Sequence, residues 1–263
     1  MSNSSENKWA LILGGSRGLG LATAKKLARH GYAICVVHRD RRNELEAIEK
    51  HFGEIKKDAP AFCSFNADAV NSEKRGEIIA ALQSVIKGNG TVKVLVHSIA
   101  KGSLKPMVAE KGECLSSEDF EITFRAMALS LYDWVQGLIA ARLNDPDMRV
   151  VSFTSEGNKK AMPGYAAVSV AKVALEAITR SMAVEFANLG IKANCIQAGV
   201  TETSSFAMIP NSDKIKENAV KRNPFGRITL PEDVANTVYM LSLEESKWIT
   251  GTIIKADGGE SLR

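Results

Sequence analysis

A doubly wound α/β fold with a parallel sheet is predicted by three features of this 263-residue chain. Short apolar runs alternate with longer amphipathic stretches, and such strand–helix alternation implies a parallel sheet covered by helices on both faces. A glycine-rich segment, GGSRGLG, follows the first apolar run and precedes a helical pattern. No repeat, linker or low-complexity stretch interrupts the alternation. We therefore expect a flexible tail over residues 1–8 and a single domain over residues 9–263.

The order of the predicted elements follows the hydrophobic pattern along the chain. The strands are expected at Trp9–Leu13, Tyr32–Val37, Ala61–Asn66, Val92–His97, Arg149–Phe153, Ile191–Ile196 and Thr252–Lys255. The helices are expected at Leu21–Arg29, Arg41–Phe52, Ser72–Ile86, around Leu129–Leu143, at about Tyr165–Asn188 and near Glu232–Leu243. A capping box formed by Thr229 and Glu232, with Pro231 in the first turn, is predicted to open the last helix.

Charge and composition argue against several classes of function. The net charge of +4 is mild and the basic residues are scattered, which disfavours nucleic-acid binding. No apolar run approaches the roughly 20 residues of a membrane helix, and the polar start has no signal-peptide core. Four widely spaced cysteines fit a reducing cytoplasm, and the histidines show no metal-ligand spacing. We expect a cytoplasmic protein without a metal, membrane or nucleic-acid partner.

The segment Gly14–Gly20 predicts a dinucleotide-binding site of the Rossmann type. Glycines are required where a β-carbon would block a tight turn or the approach of the backbone to a pyrophosphate. The following helix offers N–H groups and positive dipole density to the phosphates. Since the segment lies between a strand and a helix, we favour this interpretation over a glycine-rich turn without a ligand. The expected contacts in the loop are Gly14, Ser16, Arg17, Gly18, Leu19 and Gly20.

The end of the second strand predicts NADPH, with NADH as the weaker candidate. The strand runs into His38, Arg39 and Asp40, and Arg17 of the glycine loop faces the same adenosine end. His38 and Arg39 join Arg17 as candidate cofactor contacts, since an arginine can form a bidentate, charge-assisted pair with a 2′-phosphate. Two alternatives stay open: Asp40 could bind the ribose of NAD if the strand ends later, or the basic residues are a solvated helix start.

Four segments together resemble the short-chain dehydrogenase/reductase superfamily over essentially the whole chain after the tail. They are Gly14–Gly20, Asp68 after the third strand, His97-Ser98-Ile99-Ala100 after the fourth, and Asp257-Gly258-Gly259 near the end. The resemblance implies an oxidoreductase with a nicotinamide cofactor. It adds a second set of expected cofactor contacts: Asp68, Ala69, Ser98, Ile99, Ala100, Lys172, Gly199, Thr201 and Thr203. For Thr203, capping of a helix is the alternative.

Within that superfamily the chain resembles the bacterial enoyl-acyl carrier protein reductases. The segment from His97 to Ala100 stands where ordinary members have an Asn-Asn-Ala-Gly type segment, and six residues separate Tyr165 from Lys172, where ordinary members have three. The glycine loop keeps the ordinary dehydrogenase form, as in an NADPH-using subgroup with the wider spacing. Val168 occupies the ordinary tyrosine offset, and Ala126-Met127-Ala128 stands where a helix asparagine is usual. These departures weaken a ketoreductase hypothesis.

The narrower resemblance implies NADPH-dependent reduction of trans-2-enoyl thioesters, carried by acyl carrier protein or coenzyme A, in fatty acid synthesis. Tyr165 would stabilise the developing enolate oxygen, and Lys172 would hold the nicotinamide ribose and add positive charge. Residues seven apart on a helix lie about 10.5 Å apart along its axis, against about 6 Å for a spacing of four. Such a shift suits an enolate oxygen, which lies farther from the hydride-accepting carbon than a ketone oxygen does. Ser155, the third catalytic candidate, either contacts substrate or simply ends its strand.

A lid and an oligomer are also implied by the resemblance. The lid over an apolar acyl tunnel would span residues 204–227, with a plain surface helix and loop as the alternative. Its apolar residues are Phe206, Met208, Ile209 and Ile215, and its basic residues are Lys214, Lys216, Lys221 and Arg222. The basic residues either attract an acidic carrier protein or are ordinary solvated charges. A homotetramer built on the long helix beginning near Tyr165 is expected.

Two other functions stay open at this point. One is a carbonyl, 3-oxoacyl or hydroxysteroid reductase that uses Ser155 and Tyr165 in a shifted geometry. The other is a non-catalytic NADPH-binding regulator, which would call for an incomplete site, whereas Tyr165 and Lys172 are both present.

Overall fold

The computed structural model describes residues 7–86, 88 and 90–263. The expected tail lies outside this range up to residue 6, while Asn7 and Lys8 already belong to the first strand. The strands are β1 (Asn7–Leu13), β2 (Ala33–His38), β3 (Phe62–Asn66), β4 (Gly90–His97), β5 (Asn144–Ser155), β6 (Lys192–Ala198) and β7 (Ile253–Ala256). The α-helices are α1 (Gly18–Arg29), α2 (Leu45–Asp58), α3 (Ser72–Ile86), α4 (Ser117–Phe124), α5 (Ser130–Ala140), α6 (Ala166–Glu185), α7 (Ser204–Ala207), α8 (Ser212–Arg222) and α9 (Pro231–Ser242).

Across the described residues, seven strands form one sheet in the order β3-β2-β1-β4-β5-β6-β7. Each neighbouring pair is parallel, so the carboxyl ends of all the strands lie at one edge. The predicted doubly wound α/β fold of the Rossmann type is thereby confirmed. The chain order reverses between β1 and β4, and a crevice for a ligand opens outside the strand ends at such a switch point.

Both faces of the sheet are buried, which explains the continuous apolar runs of its strands. In β1, Trp9, Leu11 and Leu13 pack on the face covered by α3, α5 and α6, whereas Ala10 and Ile12 pack on the face covered by α1, α2 and α9. Side chains of a strand point alternately to its two faces, so one strand contributes to both apolar layers. Within the ranges given above, no helix is long and apolar enough to cross a membrane.

The predicted capping box at α9 is wrong by one residue. The N-cap is Leu230, and the side chain of Asp233 accepts a hydrogen bond from its backbone N–H at 2.9 Å. Thr229 is in an extended conformation, where its backbone N–H donates to the carbonyl oxygen of Val200 at 3.1 Å and forms a bridge with Thr201. This bridge holds Thr229 outside the helix, so the capping role passes to the next residue.

A π-helical turn, Arg125–Leu129, joins α4 to α5. It covers the segment in which the sequence shows Ala126, Met127 and Ala128, and all three are buried. Such turns contain one extra residue per turn and occur often at functional sites. The turn places Met127 at the cavity described below and brings Ser130, the first residue of α5, beneath the end of β4.

An ion-pair cluster lies at the amino end of the central strands, opposite the switch-point crevice. The carboxylate of Asp147 accepts hydrogen bonds from Lys93 at 2.6 Å, from Lys192 at 2.7 Å and from Arg149 at 2.9 Å. These cations belong to β4, β6 and β5, and Arg149 is only 2% exposed. Although burial alone would raise it, the pKa of Asp147 is held far below its ordinary value by these three donors. The cluster thus ties three neighbouring strands to one carboxylate.

Candidate active site

The glycine loop forms one wall of the crevice at the switch point. Gly14 has φ +82°, and a β-carbon there would collide with the backbone carbonyl oxygen of Ser98 at the end of β4. Gly20 is equally confined, since its β-carbon would meet the carbonyl oxygen of Gly14. Arg17, the N-cap of α1, makes no capping hydrogen bond with its side chain. Without such a cap, the first backbone N–H groups of α1 could hold a phosphate group.

Paired charges dominate the end of the crevice beside β2, where the adenosine of the cofactor is expected. Arg17 donates to Asp40 at 2.9 Å and to Glu44 at 2.8 Å, and these carboxylates raise the pKa of Arg17. His38 is 6% exposed, its ring lies edge-on to Phe52, and its Nδ1 is 2.7 Å from Asp40. The strand β2 ends at His38, one residue later than predicted, and Asp40 is engaged by both Arg17 and His38.

Asp68 lies on the opposite side of this end, directly after β3. It accepts hydrogen bonds from Arg39 at 2.8 Å and from the backbone N–H of Val70 at 3.0 Å. Burial would raise the pKa of Asp68, but the N–H of Val70 and the charges of Lys101 and Arg39 lower it overall. Together with Gly14, Ser16, His38, Ala69 and the residues after β4, these side chains enclose a cavity of about 230 Å³.

A larger cavity of about 520 Å³ continues from the glycine loop past the carboxyl ends of β4, β5 and β6 to the predicted lid. The remaining predicted contacts line it: Gly18, Leu19, Ser98, Ile99, Ala100, Gly199, Thr201 and Thr203. Thr203 also caps α7, since its Oγ1 accepts from the backbone N–H of Phe206 at 3.1 Å. The four apolar lid residues Phe206, Met208, Ile209 and Ile215 all line the same cavity. The segment expected to form the lid contains two helices, α7 and α8, and its four apolar side chains line the cavity.

Ion pairs connect the segment of the expected lid to the rest of the fold. Arg222, at the end of α8, donates to Glu156 and to Glu260, each at 2.9 Å. Glu260 also accepts from the backbone N–H of Val200 at 3.0 Å. Among the basic residues predicted to attract a carrier, Arg222 therefore points inward, and Lys216 pairs with Glu202 at 2.7 Å.

All three predicted catalytic residues line the large cavity, and two of them are in contact. Ser155 ends β5, and its Oγ lies 3.2 Å from the hydroxyl oxygen of Tyr165. Tyr165 precedes α6 as its N-cap, with φ −115° and ψ 3°, so it stands at the helix mouth as expected. Lys172 lies within α6, is 8% exposed, and its Nζ donates to the carbonyl oxygen of Phe153 at 2.6 Å.

Burial shifts the pKa values of Tyr165 and Lys172 in opposite directions. Burial raises the pKa of Tyr165, although the hydrogen bond to Ser155 opposes the change. It lowers the pKa of Lys172 to about 8, against a smaller opposing effect of Cys195 and Glu176. Tyr165 is therefore a neutral hydrogen-bond donor over the whole physiological range, whereas Lys172 loses its proton within that range or just above it.

Two small or apolar residues define the position of the Tyr165 ring. A β-carbon on Gly157 would lie 2.6 Å from Cε1 of Tyr165, so the ring packs directly against that backbone. Val168, at the offset where ordinary members of the resembled superfamily have tyrosine, is 5% exposed and belongs to the same apolar cluster as Tyr165 and Met127. No hydroxyl is available at the Val168 position.

Sequence reasoning assigned no side-chain role to three buried polar residues: Glu176, His97 and Ser130. Glu176, one turn along α6, accepts from Thr154 at 2.7 Å and from Asn158. His97 and Ser130 form a hydrogen-bonded pair at 2.8 Å beneath the end of β4. The four-residue offset from Lys172 is the one signal that could have identified Glu176, since it places both residues on one face of a helix. Within the described residues, no cluster of three or more metal-ligating side chains is found.

Comparison with known proteins gives consistent relatives over almost the whole chain. The profile of the family described as Enoyl-(Acyl carrier protein) reductase matches residues 14–261. The 7alpha-hydroxysteroid dehydrogenase of Paraclostridium sordellii is 29% identical over 99% of this chain and 94% of its own length. The 3-oxoacyl-[acyl-carrier-protein] reductase of Staphylococcus epidermidis is 28% identical over 96% of this chain and 98% of its own.

Solved structures show the same range of relatives. The Enoyl-[acyl-carrier-protein] reductase (NADH) of Aquifex aeolicus superposes with a TM-score of 0.80 at 26% identity, over 98% of each chain. A protein of Agrobacterium tumefaciens that is provisionally described as a gluconate dehydrogenase superposes with a TM-score of 0.82 at 26% identity. The match covers 97% of this chain and 96% of that one. The relatives thus share one architecture but act, by their names, on different substrates.

Proposed function

Because this chain belongs to the short-chain dehydrogenase/reductase superfamily, and within it to the family described as enoyl-(acyl carrier protein) reductase, it is an oxidoreductase that uses a nicotinamide cofactor. On this premise we propose that it reduces the carbon–carbon double bond of trans-2-enoyl thioesters with NADPH. The thioester carrier is acyl carrier protein or coenzyme A.

One observation carries the proposal: the hydroxyl that faces the cavity comes from the mouth of α6, not from within it. Tyr165 lies before the first helical turn, and the buried Val168 stands at the offset from Lys172 where ordinary superfamily members have their tyrosine. An enolate oxygen is two atoms farther from the hydride-accepting carbon than a ketone oxygen is. The displaced tyrosine suits the more distant oxygen.

The geometry of the glycine loop supports binding of a dinucleotide cofactor in the crevice. A β-carbon at Gly14 or Gly20 would fill the space beside the phosphate-binding turn, and α1 presents its N-terminus there. NADPH, when bound, supplies the hydride for the β-carbon of the substrate. Arg17, at the edge of the crevice, supports NADPH over NADH, because its guanidinium can exchange carboxylate partners for a 2′-phosphate.

The residues around the substrate carbonyl supply charge stabilisation. The neutral hydroxyl of Tyr165 donates a hydrogen bond to the oxygen that becomes the enolate, and water is excluded by the apolar cluster around it. Lys172 adds positive charge beneath this position and holds the nicotinamide ribose. A proton from solvent, delivered through this pair, completes the saturated thioester at its α-carbon.

The cavity and the surface of α6 support the remaining parts of the proposal. The inner face of the lid is apolar, as an acyl chain requires, and the exposed Lys214 and Lys221 near its outer face suit an acidic carrier.

On α6, Val170, Val173 and Val184 are 51%, 49% and 77% exposed. Exposed apolar side chains of this kind favour packing of α6 against a second copy of the chain. They therefore support the homotetramer that the family resemblance implies.

A second candidate, reduction of a 3-oxoacyl or steroid carbonyl, is favoured by the contact between Ser155 and Tyr165 at 3.2 Å. Two hydroxyls so close can hold one carbonyl oxygen between them. Two of the relatives act, by their names, on such substrates.

The deciding experiment follows NADPH consumption with a short trans-2-enoyl thioester and, in parallel, with a 3-oxoacyl thioester, each repeated with NADH. The proposal expects turnover of the enoyl substrate and preference for NADPH. Turnover of the 3-oxo substrate alone selects the second candidate. NADPH binding without turnover of either refutes both and leaves another carbonyl substrate or a non-catalytic regulator.

A further inference from the structure

His97, the last residue of β4, is a buried histidine with one unsatisfied nitrogen at the active-site cavity. It is 1% exposed and lines the cavity that contains Tyr165 and Lys172. Its Nε2 lies 2.8 Å from Oγ of Ser130, while its buried Nδ1 has no hydrogen-bond partner among the described residues. A buried polar atom without any partner costs stability, so Nδ1 of His97 is expected to have a partner such as an ordered water molecule.

The hydrogen bonds of Ser130 determine which tautomer of His97 is present. Its Oγ lies 2.8 Å from Nε2 of His97 and 2.8 Å from the carbonyl oxygen of Ala126. A carbonyl oxygen can only accept, so the single hydroxyl proton of Ser130 is directed to Ala126. Nε2 must then donate to Ser130, and Nδ1 carries a free lone pair.

The ring of His97 is also kept neutral. Burial, together with the positive charge of nearby Lys172, lowers the pKa of His97 to about 3. A neutral ring with a proton on Nε2 offers its other nitrogen as an acceptor only. The carbonyl of Ala126, which belongs to the π-helical turn, thus determines through Ser130 what His97 can bind.

Lys172 supplies the complementary donors. An ammonium group has three N–H bonds, and Nζ of Lys172 donates one to the carbonyl oxygen of Phe153 at 2.6 Å. Across β4 and β5 His97 pairs with Ser152, the residue before Phe153, so the carbonyl oxygen that Lys172 binds lies one position along the strand from the partner of His97. A single water molecule satisfies donors and acceptors that are too far apart for a direct hydrogen bond.

We propose that His97 is a positioning residue for Lys172, with Nδ1 accepting an N–H of the ammonium group through one bridging water molecule and Ser130 fixing the ring. Phe153 and His97 then hold Lys172 from two sides and leave its third N–H for the nicotinamide ribose. The proposal rests on the function proposed above for its catalytic consequence, but the orientation of Lys172 is testable by NADPH binding alone.

Two substitutions at His97 distinguish the roles of its two ring nitrogens. Asparagine places an acceptor oxygen near the position of Nδ1 but cannot reach Ser130, whereas glutamine reaches Ser130 but leaves no acceptor near Nδ1. Each variant is measured for the Kd of NADPH by fluorescence without substrate, for kcat and KM with the enoyl thioester, and for Tm. We expect His97→Asn to stay within about threefold of wild type in Kd and kcat, and His97→Gln to weaken NADPH binding and lower kcat by about tenfold or more.

The reverse order, with His97→Gln active and His97→Asn impaired, would show that His97 only supports Ser130 and would overturn the proposal. Equal values for both variants and wild type would overturn it as well. Enoyl inactivity of a wild-type protein that still binds NADPH would count against the proposed function instead, and the Kd values would continue to test His97.

A measurement on the intact protein covers the case in which a variant does not fold. The chain has four histidines, so ¹⁵N NMR of histidine-labelled protein can resolve each ring. We expect an unprotonated Nδ1 and a protonated Nε2 for His97, with the Nδ1 resonance shifted in Lys172→Met. A proton on Nδ1, or no response to Lys172→Met, would refute the proposed arrangement.

Discussion

The hydroxyl oxygens of Ser155 and Tyr165 lie 3.2 Å apart, although one residue ends a strand and the other stands before a helix. The chain between them turns through Gly157, whose backbone packs against the tyrosine ring. A pair of hydroxyls at this distance can share one substrate oxygen. The two candidate reactions differ in how much each hydroxyl contributes, and substitution separates the two contributions.

Replacing Tyr165 by phenylalanine removes the donor to the substrate oxygen and keeps the ring that packs on Gly157. Loss of one such donor typically lowers kcat by about 10²–10³. We expect this loss with the enoyl thioester, together with an unchanged Tm and NADPH Kd. A folded Tyr165→Phe protein with wild-type turnover would contradict the catalytic assignment.

Replacing Ser155 by alanine distinguishes enoyl from carbonyl reduction. In the enoyl mechanism Tyr165 is the principal donor, so kcat with the enoyl thioester should fall by no more than about tenfold, the effect of one secondary hydrogen bond. In carbonyl reduction both hydroxyls hold the reacting oxygen, and the loss should approach about 10²–10³. The two substrates are compared with the same protein preparation, so a folding defect would affect both equally.

The activity should fall at alkaline pH because of Lys172. Its pKa in the folded protein is lowered to about 8 by burial, and the charged form is the one that stabilises the enolate. As pH rises through this value the charge is lost, so kcat/KM should fall by about tenfold per pH unit above it. Arginine keeps its charge over this range, so any residual activity of Lys172→Arg should lack this alkaline limb. The same limb in that variant would assign the titration to another group.

Arg17 should determine the preference for NADPH. Its guanidinium lies between Asp40 and Glu44 and is 38% exposed, so it is accessible to a 2′-phosphate. We expect Arg17→Ala to raise the Kd of NADPH by about 10–100-fold, the range for hydrogen bonds to charged groups, and to leave NADH within about threefold. Arg29→Ala, on the exposed end of the same helix, is the matched control. An equal rise in the Kd of NADPH and of NADH would show that Arg17 does not bind the 2′-phosphate.

Removing the charge of Asp147 should destabilise the fold without affecting the reaction. Asp147→Asn leaves Lys93, Arg149 and Lys192 without their shared carboxylate, and breaking such a partly buried cluster costs roughly 2–4 kcal/mol. Its folded pKa lies below the unfolded value, so its stabilisation is complete above the ordinary carboxyl range and is lost as pH falls below it. Denaturant unfolding measures both effects. Asp58→Asn, in an exposed pair with Arg29, should change stability by less than about 1 kcal/mol.

The sequence predicted the seven strands and the glycine loop because those features depend on local patterns. An apolar run bounded by turns identifies a buried strand, and the positive φ of Gly14 is a local backbone property that favours glycine. The pairing of Thr229 with Thr201 is a contact between distant residues, and it displaced the predicted capping box by one position. Local spacing cannot report such a contact.

The pairing of His97 with Ser130 could not be predicted for the same reason. His97 and Ser130 are 33 positions apart, and Ser130 directly follows the π-helical turn. The sequence marks that turn by no residue type of its own, since its three buried members are alanine and methionine. The site residues that could be predicted were those carried by the resemblance, and the surrounding hydrogen bonds required the fold.

The position of β1 inside the sheet, between β2 and β4, also affects the order in which the protein can fold. Residues 7–66 already contain β1, β2 and β3, but one edge of β1 pairs with β4, which begins at Gly90. During synthesis β1 therefore has one unpaired hydrogen-bonding edge until about 30 further residues have been added. Chaperone demand should be greatest in this interval, when a half-sheet is present without the strand that covers it.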